Sequence, residues 1–385
     1  MHYHHNYNHF LHFFYEHKTM AELYLVIGLR SLAISMIALF LPMYFFLLRN
    51  SFEDVLIFYF ALFLAVGIVF PIANFIASKV GNVHMALISA PLGILFYVLI
   101  YFSNPLSIGI FALGLLYGAF EAFFWAFFHG EFSYISDKKV VSKEVSGWRA
   151  VSFFFTLMGP VLGGAIISFY GFHSLFLVVA LVLIASPIPL IFSKDIKIAP
   201  RFSSKEIFSK KHLKMAPAFI GHGAAGIATT ITWPLFIYFL VPDFLEIGTM
   251  SLIINLVSVI VVLFIGSKVV KYGKVRLIRL GGLLFAISIL LRTFVATGGQ
   301  ALLAWSFGAL TFPIVAIPSE SITYSRAKKE NMAELFTFRE WMLNVGRMSM
   351  LIAVFWMVNV FPLEQALTYS FILCGAVSTL ISTMK

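Results

Sequence analysis

The sequence predicts an all-α polytopic membrane protein, with twelve transmembrane helices in two six-helix pseudo-repeats. Three observations predict it. Of 385 residues, 61% are apolar and only 11% charged, whereas a soluble domain carries about 25% charged and roughly 45–50% apolar residues. Apolar segments of about 20 residues, enough to cross a bilayer, recur along the chain. Basic residues gather in every second connection, as they do on the cytoplasmic side of membrane proteins.

Twelve segments meet the length criterion, at about 21–48, 53–78, 83–102, 106–130, 148–170, 172–193, 215–240, 245–267, 276–296, 300–324, 338–360 and 362–382. The first is too long for a signal peptide and lacks a small-residue cleavage site. With the N-terminus inside, 23 of the 27 basic residues fall on the cytoplasmic side. Arg49 and Arg292 fall outside, and Arg30 and Arg347 within spans. This sets the expectation of N-in and C-in, in a cell membrane. The same placement explains a pI of 9.5 without nucleic acid. A single cysteine, Cys374, permits no intrachain disulfide and no cysteine zinc site.

The polar stretch 194–214 divides the chain. The expected organisation is a histidine-rich segment 1–20, a six-helix bundle 21–193, a linker 194–214 and a second bundle 215–385. Sliding the chain by 192 residues supports two related halves. Pro42 falls on Pro234, Asp54 on Glu246, Lys79 and Gly81 on Lys271 and Gly273, and Arg30 on His222. Near the end of each half Glu131 and Arg149 match Glu320 and Arg339 at nearly the same offset.

These features resemble the major facilitator superfamily. Between spans two and three the family pattern is Gly-x-Leu-Ala-Asp-Arg-x-Gly-Arg-Lys. Here the chain has Asn74-Phe-Ile-Ala77-Ser78-Lys79-Val-Gly81-Asn82, and in the second half Gly266-Ser-Lys-Val-Val270-Lys271-Tyr-Gly273-Lys274. The basic residue and the second glycine survive in both copies, while Ser78 and Val270 replace the aspartate. Gly159-Pro160-Val-Leu-Gly163-Gly164 in span five is similar to the core of the family's antiporter motif, which is associated with proton-coupled exporters. Its plain alternative is a packing seam of small residues. The pairs Glu131/Arg149 and Glu320/Arg339 resemble the charged belt that closes the cytoplasmic side. The resemblance implies a cavity between the halves, lined by spans one, four, seven and ten, around which the halves rock.

Ionisable residues within spans are costly and mark function by default. Arg30 and Glu121 lie at similar depth in spans one and four, and are expected to pair across the cavity as a proton or substrate switch. A static ion pair is the bland alternative. His222, in Gly221-His-Gly-Ala-Ala-Gly226, is a second candidate proton carrier. Trp125, one turn from Glu121, and Trp233, beside Pro234, are expected to add an aromatic wall suited to lipophilic cations. Most phenylalanines around Glu121 are expected to face lipid. Asn344 and Arg347 in span eleven are expected behind the cavity or at a gate.

Residues 1–18 carry six histidines. If helical, His5, His9 and His12 form one stripe with metal-ligand spacing; an interfacial helix is the main alternative. No Walker A pattern and no nucleophile elbow is present, so neither ATP-driven transport nor an enzyme is expected. The expectation is a secondary active transporter of a small molecule, without cofactor, in contact with membrane lipid, monomeric and coupled to protons. Export of a lipophilic or cationic compound leads. Uptake of an anionic metabolite, metal-ion export and a transporter-like sensor or scaffold are the alternatives.

Overall fold

A computed structural model describes residues 4–102, 109–137, 140–190, 195, 204–327 and 330–384, with the main chain alone for 4–19, 263 and 266–271. Among the described residues every regular element is helical. Eleven helices are long and apolar enough to cross a membrane: Met20–Arg49, Phe52–Val80, Val83–Phe102, Ile110–Ile135, Val141–Leu190, Ala216–Leu240, Phe244–Val262, Lys274–Phe294, Gly298–Ala327, Met332–Val360 and Leu363–Thr383. Val141–Leu190 is 50 residues long, about 75 Å at ~1.5 Å per residue, against a bilayer core of about 30 Å. It turns at Gly171, whose φ of 80° and ψ of 172° break the helix, and so supplies spans five and six. That makes twelve spans.

The internal repeat is visible in where the elements begin. The second segment of span one begins at Leu41 and that of span seven at Trp233. Pro42 and Pro234 occupy their first turns, where the missing N–H costs least. Spans two and eight begin at Phe52 and Phe244, both pairs 192 residues apart. Even the caps correspond: Ser51 Oγ accepts the Asp54 N–H at 3.2 Å, and Asp243 Oδ1 accepts the Glu246 N–H at 2.8 Å. Spans one, two and three pack on five, four and six. Spans seven, eight and nine pack on eleven, ten and twelve in the same pattern.

The halves meet along spans two and eleven, and along five with eight and ten. Trp341 donates its indole N–H to the Gly67 carbonyl at 2.9 Å. A second tie follows from Pro160. Proline has no N–H for the carbonyl four residues earlier, which leaves that of Thr156 free, and the Asn255 side-chain amide from the other half donates to it at 3.0 Å.

Four of the span-five residues form a seam. A Cβ at Gly159 or Gly163 would run into Ser35 or the Met36 carbonyl of span one. One at Gly164 would strike the Phe244 carbonyl of span eight, and Pro160 lies against Gly248. Span five thus touches its own half and the other at backbone distance, the close approach that small residues permit in membranes.

Two expectations are corrected at this level. Arg292, counted with the outside charges, is not in water. It is 2% exposed, donates to the Ala228 carbonyl at 3.0 Å and lies over the Trp233 ring at 4.6 Å. It ends span nine but turns inward, so hydropathy alone misplaces it. The phenylalanines of span four do not face lipid either. Phe124, Phe127 and Phe128 are buried, because spans one, two and three surround that helix. The side chains of His5, His9, His12 and Lys271, and residues 194 and 196–203 of the 194–214 stretch, lie outside the described residues.

Gly163→Ala is expected to destabilise the protein by about 1–3 kcal/mol, as overpacking does. Gly226→Ala, whose Cβ meets nothing within 4 Å, is expected to leave stability unchanged or slightly raised. Thermal melts of the two purified variants check the contrast.

Candidate functional site: a charged cavity between the halves

Span four carries Tyr117, Glu121, Trp125 and His129 at four-residue steps. Residues spaced so share one helix face, and all four line a cavity of about 590 Å³ between the halves. That volume suits a small-molecule ligand. The rest of the wall is largely apolar and aromatic, with Tyr59, Phe63 and Phe153 prominent.

Arg30 and Glu121 meet, with Nη2 to Oε1 at 2.5 Å. They do not face each other across the cavity as the sequence suggests. Glu121 lines the cavity, whereas Arg30 lies behind it at 5% exposure. The Arg30 guanidinium sits over the rings of Phe124 and Phe120, at 3.8 and 4.8 Å. Trp125 donates its indole N–H to Glu121 Oε2 at 2.9 Å. Both carboxylate oxygens therefore have a donor. Removing one partner of such a buried pair costs about 3–5 kcal/mol.

Span seven is broken where it meets the cavity. Its α-helix Ala216–Ile227 passes into a π-helical turn, Ala228–Thr232, before Trp233–Leu240. The hydroxyls of Thr229 and Thr230 donate to the Gly226 carbonyl at 3.1 and 2.7 Å. Such side-chain bonds compete with the helical ladder, and π turns gather at functional sites. Both threonines line the cavity, as does His222, whose ring packs 6.0 Å from that of Phe312. Trp233 is corrected. It is fully buried in its own half, against Phe236, Trp305 and Phe371, and adds nothing to the cavity wall. One position on a broken helix turns it away.

Span eleven also lines the cavity, through Glu340, Leu343 and Arg347, although Arg347 was expected behind it or at a gate. Arg347 donates to Asn344 Oδ1 at 2.9 Å and lies over the Phe63 ring of the other half at 4.9 Å.

Toward the end that carries the basic connections, the charged belt is wired differently from the sequence pairing. Arg149 grips Glu320 of the other half through two hydrogen bonds, Nε to Oε2 at 3.0 Å and Nη2 to Oε1. Arg339 donates to Glu340 Oε1 at 2.8 Å and to Nε2 of His129 at 3.0 Å. That leaves Nδ1 of His129 to donate to the Tyr324 hydroxyl at 2.7 Å. Glu131 stays in its own half and accepts from Asn82 at 2.9 Å. The repeat puts equivalent charges at matching places, so each meets the other half's copy or a neighbour rather than its own sequence partner. His129 went unnoticed in the sequence, though its spacing from Glu121 and Trp125 marks it. Its ring stacks on Phe336 at 4.4 Å.

The Gly81 and Gly273 turns take φ of 113° and 82°, which explains why both copies keep glycine. Lys79 is exposed, with its amine over the Phe75 ring. The carboxylate that the turn lacks at Ser78 comes from Asp195, which accepts the Val83 N–H at 2.9 Å and pairs with His84 at 2.5 Å.

The sequence pattern of the Major Facilitator Superfamily matches residues 23–217, half of the chain. The chain belongs to the Major Facilitator Superfamily. It is a multi-pass integral membrane protein and a secondary transporter, not an enzyme. Among curated proteins it is similar to the uncharacterized protein YqgE of Bacillus subtilis (strain 168), 22% identical over 345 residues, covering 86% of this chain and 80% of that one. Its fold is similar to that of the human organic anion transporter MFSD10 (TETRAN), with a TM-score of 0.70 at 12% identity, over 94% of this chain and 99% of that one. The nucleoside transporter NupG matches equally, with a TM-score of 0.70 at 13% identity, over 94% and 98% of the two chains.

For this superfamily member the Arg149–Glu320 contact is expected to hold the basic end shut. Arg149→Gln should raise the labelling rate of a cysteine placed at Ser133, buried beside the Phe132–Tyr324 ring contact, by a membrane-impermeant maleimide. Loss of one bidentate, partly exposed pair worth about 1–3 kcal/mol corresponds to roughly a five- to hundredfold change in the open population.

Proposed function

We propose that this transporter is coupled to protons at Glu121. The observation that carries this reading is the division of the ion pair: the carboxylate lines the cavity while its arginine does not. A proton entering from the cavity reaches Glu121 first. Protonation cancels its attraction for Arg30 and frees the guanidinium from a contact it holds only in the ionised state. A contact made in one protonation state and not the other biases the equilibrium between two arrangements of the halves. His222 is a second group for proton passage on the opposite wall.

The basic end is cytoplasmic in this reading, with both termini inside, because the positive-inside bias points there. Arg149, Glu320, Arg339 and His129 then form the inner gate. Glu131 braces it through Asn82, and Lys79 and Lys271 flank the Gly81 and Gly273 turns beside it. The two halves, 21–193 and 215–385, move as units about the 194–214 linker, in a monomer. A lipophilic cation, the leading sequence expectation, would have to displace Arg30 from Glu121 to reach a free negative charge. The anionic alternative meets no such obstacle.

In liposomes with an internal pH dye, substrate-driven proton movement is expected to vanish in Glu121→Gln. Arg30→Gln should lose coupling as well, and the double variant should be no worse than the poorer single. Proton movement that survives Glu121→Gln unchanged overturns the assignment.

A further inference from the structure

We infer that the cavity holds an oxyanion site at Arg347, and that the substrate is a small carboxylate or phosphate ester with an apolar body. The inference rests on reading the cavity as the transport site, and it adds the substrate class.

Charge balance within the cavity points there. Three arginines line it, Arg149, Arg339 and Arg347, and three glutamates, Glu121, Glu320 and Glu340. Arg149 is paired with Glu320 and Arg339 with Glu340. Glu121 is paired with Arg30, which comes from behind the wall. Every cavity carboxylate thus has its arginine, and Arg347 is left over. Among the described residues no carboxylate lies within ion-pair distance of it. Glu340 and Glu121 act on it only at longer range. Among the described residues its one hydrogen-bond partner is the neutral Asn344 oxygen, one turn away on its own helix.

A charge in a low-dielectric setting without a counter-ion is expensive, and an arginine fork fits the two oxygens of a carboxylate or phosphate. The surroundings hold the fork in place. Gly223 and Gly346 bring spans seven and eleven to backbone contact on either side of it, which fixes where the side chain starts. The Phe63 ring lies under the guanidinium. Asn344 keeps a second buried donor, Nδ2, without an acceptor. Gly226, also on the cavity wall, leaves open space beside the hydroxyl-bearing π turn. The apolar and aromatic remainder of the wall accommodates the body of the molecule. Because Phe63 belongs to the first half and Arg347 to the second, an anion seated there touches both moving parts.

The charge also sets the sense of coupling. The titratable and polar groups around Glu121 are Arg30 behind it, Tyr97 of span three, Tyr117 and Trp125 on its own helix, and Tyr59, His222 and Arg347 lining the same cavity. Protonating Glu121 removes one negative charge from the space an anion shares. Proton and anion therefore favour one another, and they travel together.

The test uses the full chain, in detergent for thermal shifts and in liposomes for uptake. The probes are benzoate, phenyl phosphate, benzylamine and benzyl alcohol. At least one of the two oxyanions is expected to raise the melting temperature and to accumulate under an inward proton gradient, with the amine and the alcohol inert. Arg347→Gln should weaken oxyanion binding about ten- to hundredfold, the value of a charge-assisted bond. Arg347→Lys, which keeps the charge without the fork, should fall between, and serves if the glutamine variant does not fold. Glu121→Gln should bind the oxyanion at least as tightly as the parent while losing proton-driven accumulation. Binding of benzylamine alone, unchanged oxyanion binding in Arg347→Gln and Arg347→Lys, or no oxyanion binding by folded protein each overturns the site. Failure of the two readings is distinguishable. Amine-driven proton flux lost in Glu121→Gln leaves coupling intact and removes the anion. Oxyanion binding lost in Arg347→Gln, with no proton movement in the parent, does the reverse.

Discussion

The constraint on which the rest of this structure depends is that a charge taken out of water must be answered from within the protein. A lipid-embedded bundle has no solvent to spare for it. Arg30 is answered by Glu121 and two aromatic faces, Arg149 by Glu320, and Arg339 by Glu340 and a histidine nitrogen. Arg292, which has no carboxylate, takes a backbone carbonyl of the π turn and the face of Trp233. The same rule acts on the main chain. Pro160 frees the Thr156 carbonyl, and Asn255 of the other half supplies the missing donor. Except for Glu340, the chain neighbour of Arg339, these answers cross between elements that sequence distance separates widely, and together they fix the cavity's shape.

The two halves share a backbone plan but divide the chemistry. Position 30 of the first half is a paired arginine, and its counterpart, His222, is an imidazole on the cavity wall. The first half contributes the carboxylate Glu121 and the aromatic stripe of span four. The second contributes the π turn and the unmatched Arg347. Duplication supplies the symmetric scaffold that allows rocking, and divergence at a few inward positions makes the site between the halves asymmetric.

Much of this was legible in the sequence, because hydropathy and repeat offset report along the helix axis. The twelve spans, the turn glycines at 81 and 273, and the matching depth of Arg30 and Glu121 all follow from axial position. What the sequence did not disclose was direction around the axis and partners across the interface. Trp233 was placed on the wrong side of the wall, since a proline and a π turn shift the later side chains of span seven in azimuth. Arg347 was placed off the wall because which face of an unbroken span eleven turns inward is set by the docking of the halves. Arg149 was matched to the wrong carboxylate because equal places in two repeats look interchangeable until the halves are docked. Arg292 was counted with the outside charges, and its burial at the end of span nine depends on partners that hydropathy does not report. His129 alone carried a usable signal, the four-residue step that runs from Glu121 through Trp125.

Strength matters as much as placement in such a machine. A contact that closes one end must be released within a working cycle, so the energy holding it has to be comparable with what substrate and proton can supply. The Arg149–Glu320 pair is bidentate but not sealed, with side chains 21% and 11% exposed. Water at that edge weakens it below what a fully buried pair resists when broken, about 3–5 kcal/mol. An oxyanion at Arg347 draws on an arginine that no gate contact uses, so filling the site does not dismantle the closed end directly. Its influence has to pass through the contact it makes with both halves, beside Phe63 and Asn344. In the coupling we propose, protonation of Glu121 acts on the first half through Arg30. The proposed proton input thus lies in the first half, the proposed anion site lies where the halves meet, and the two share one cavity.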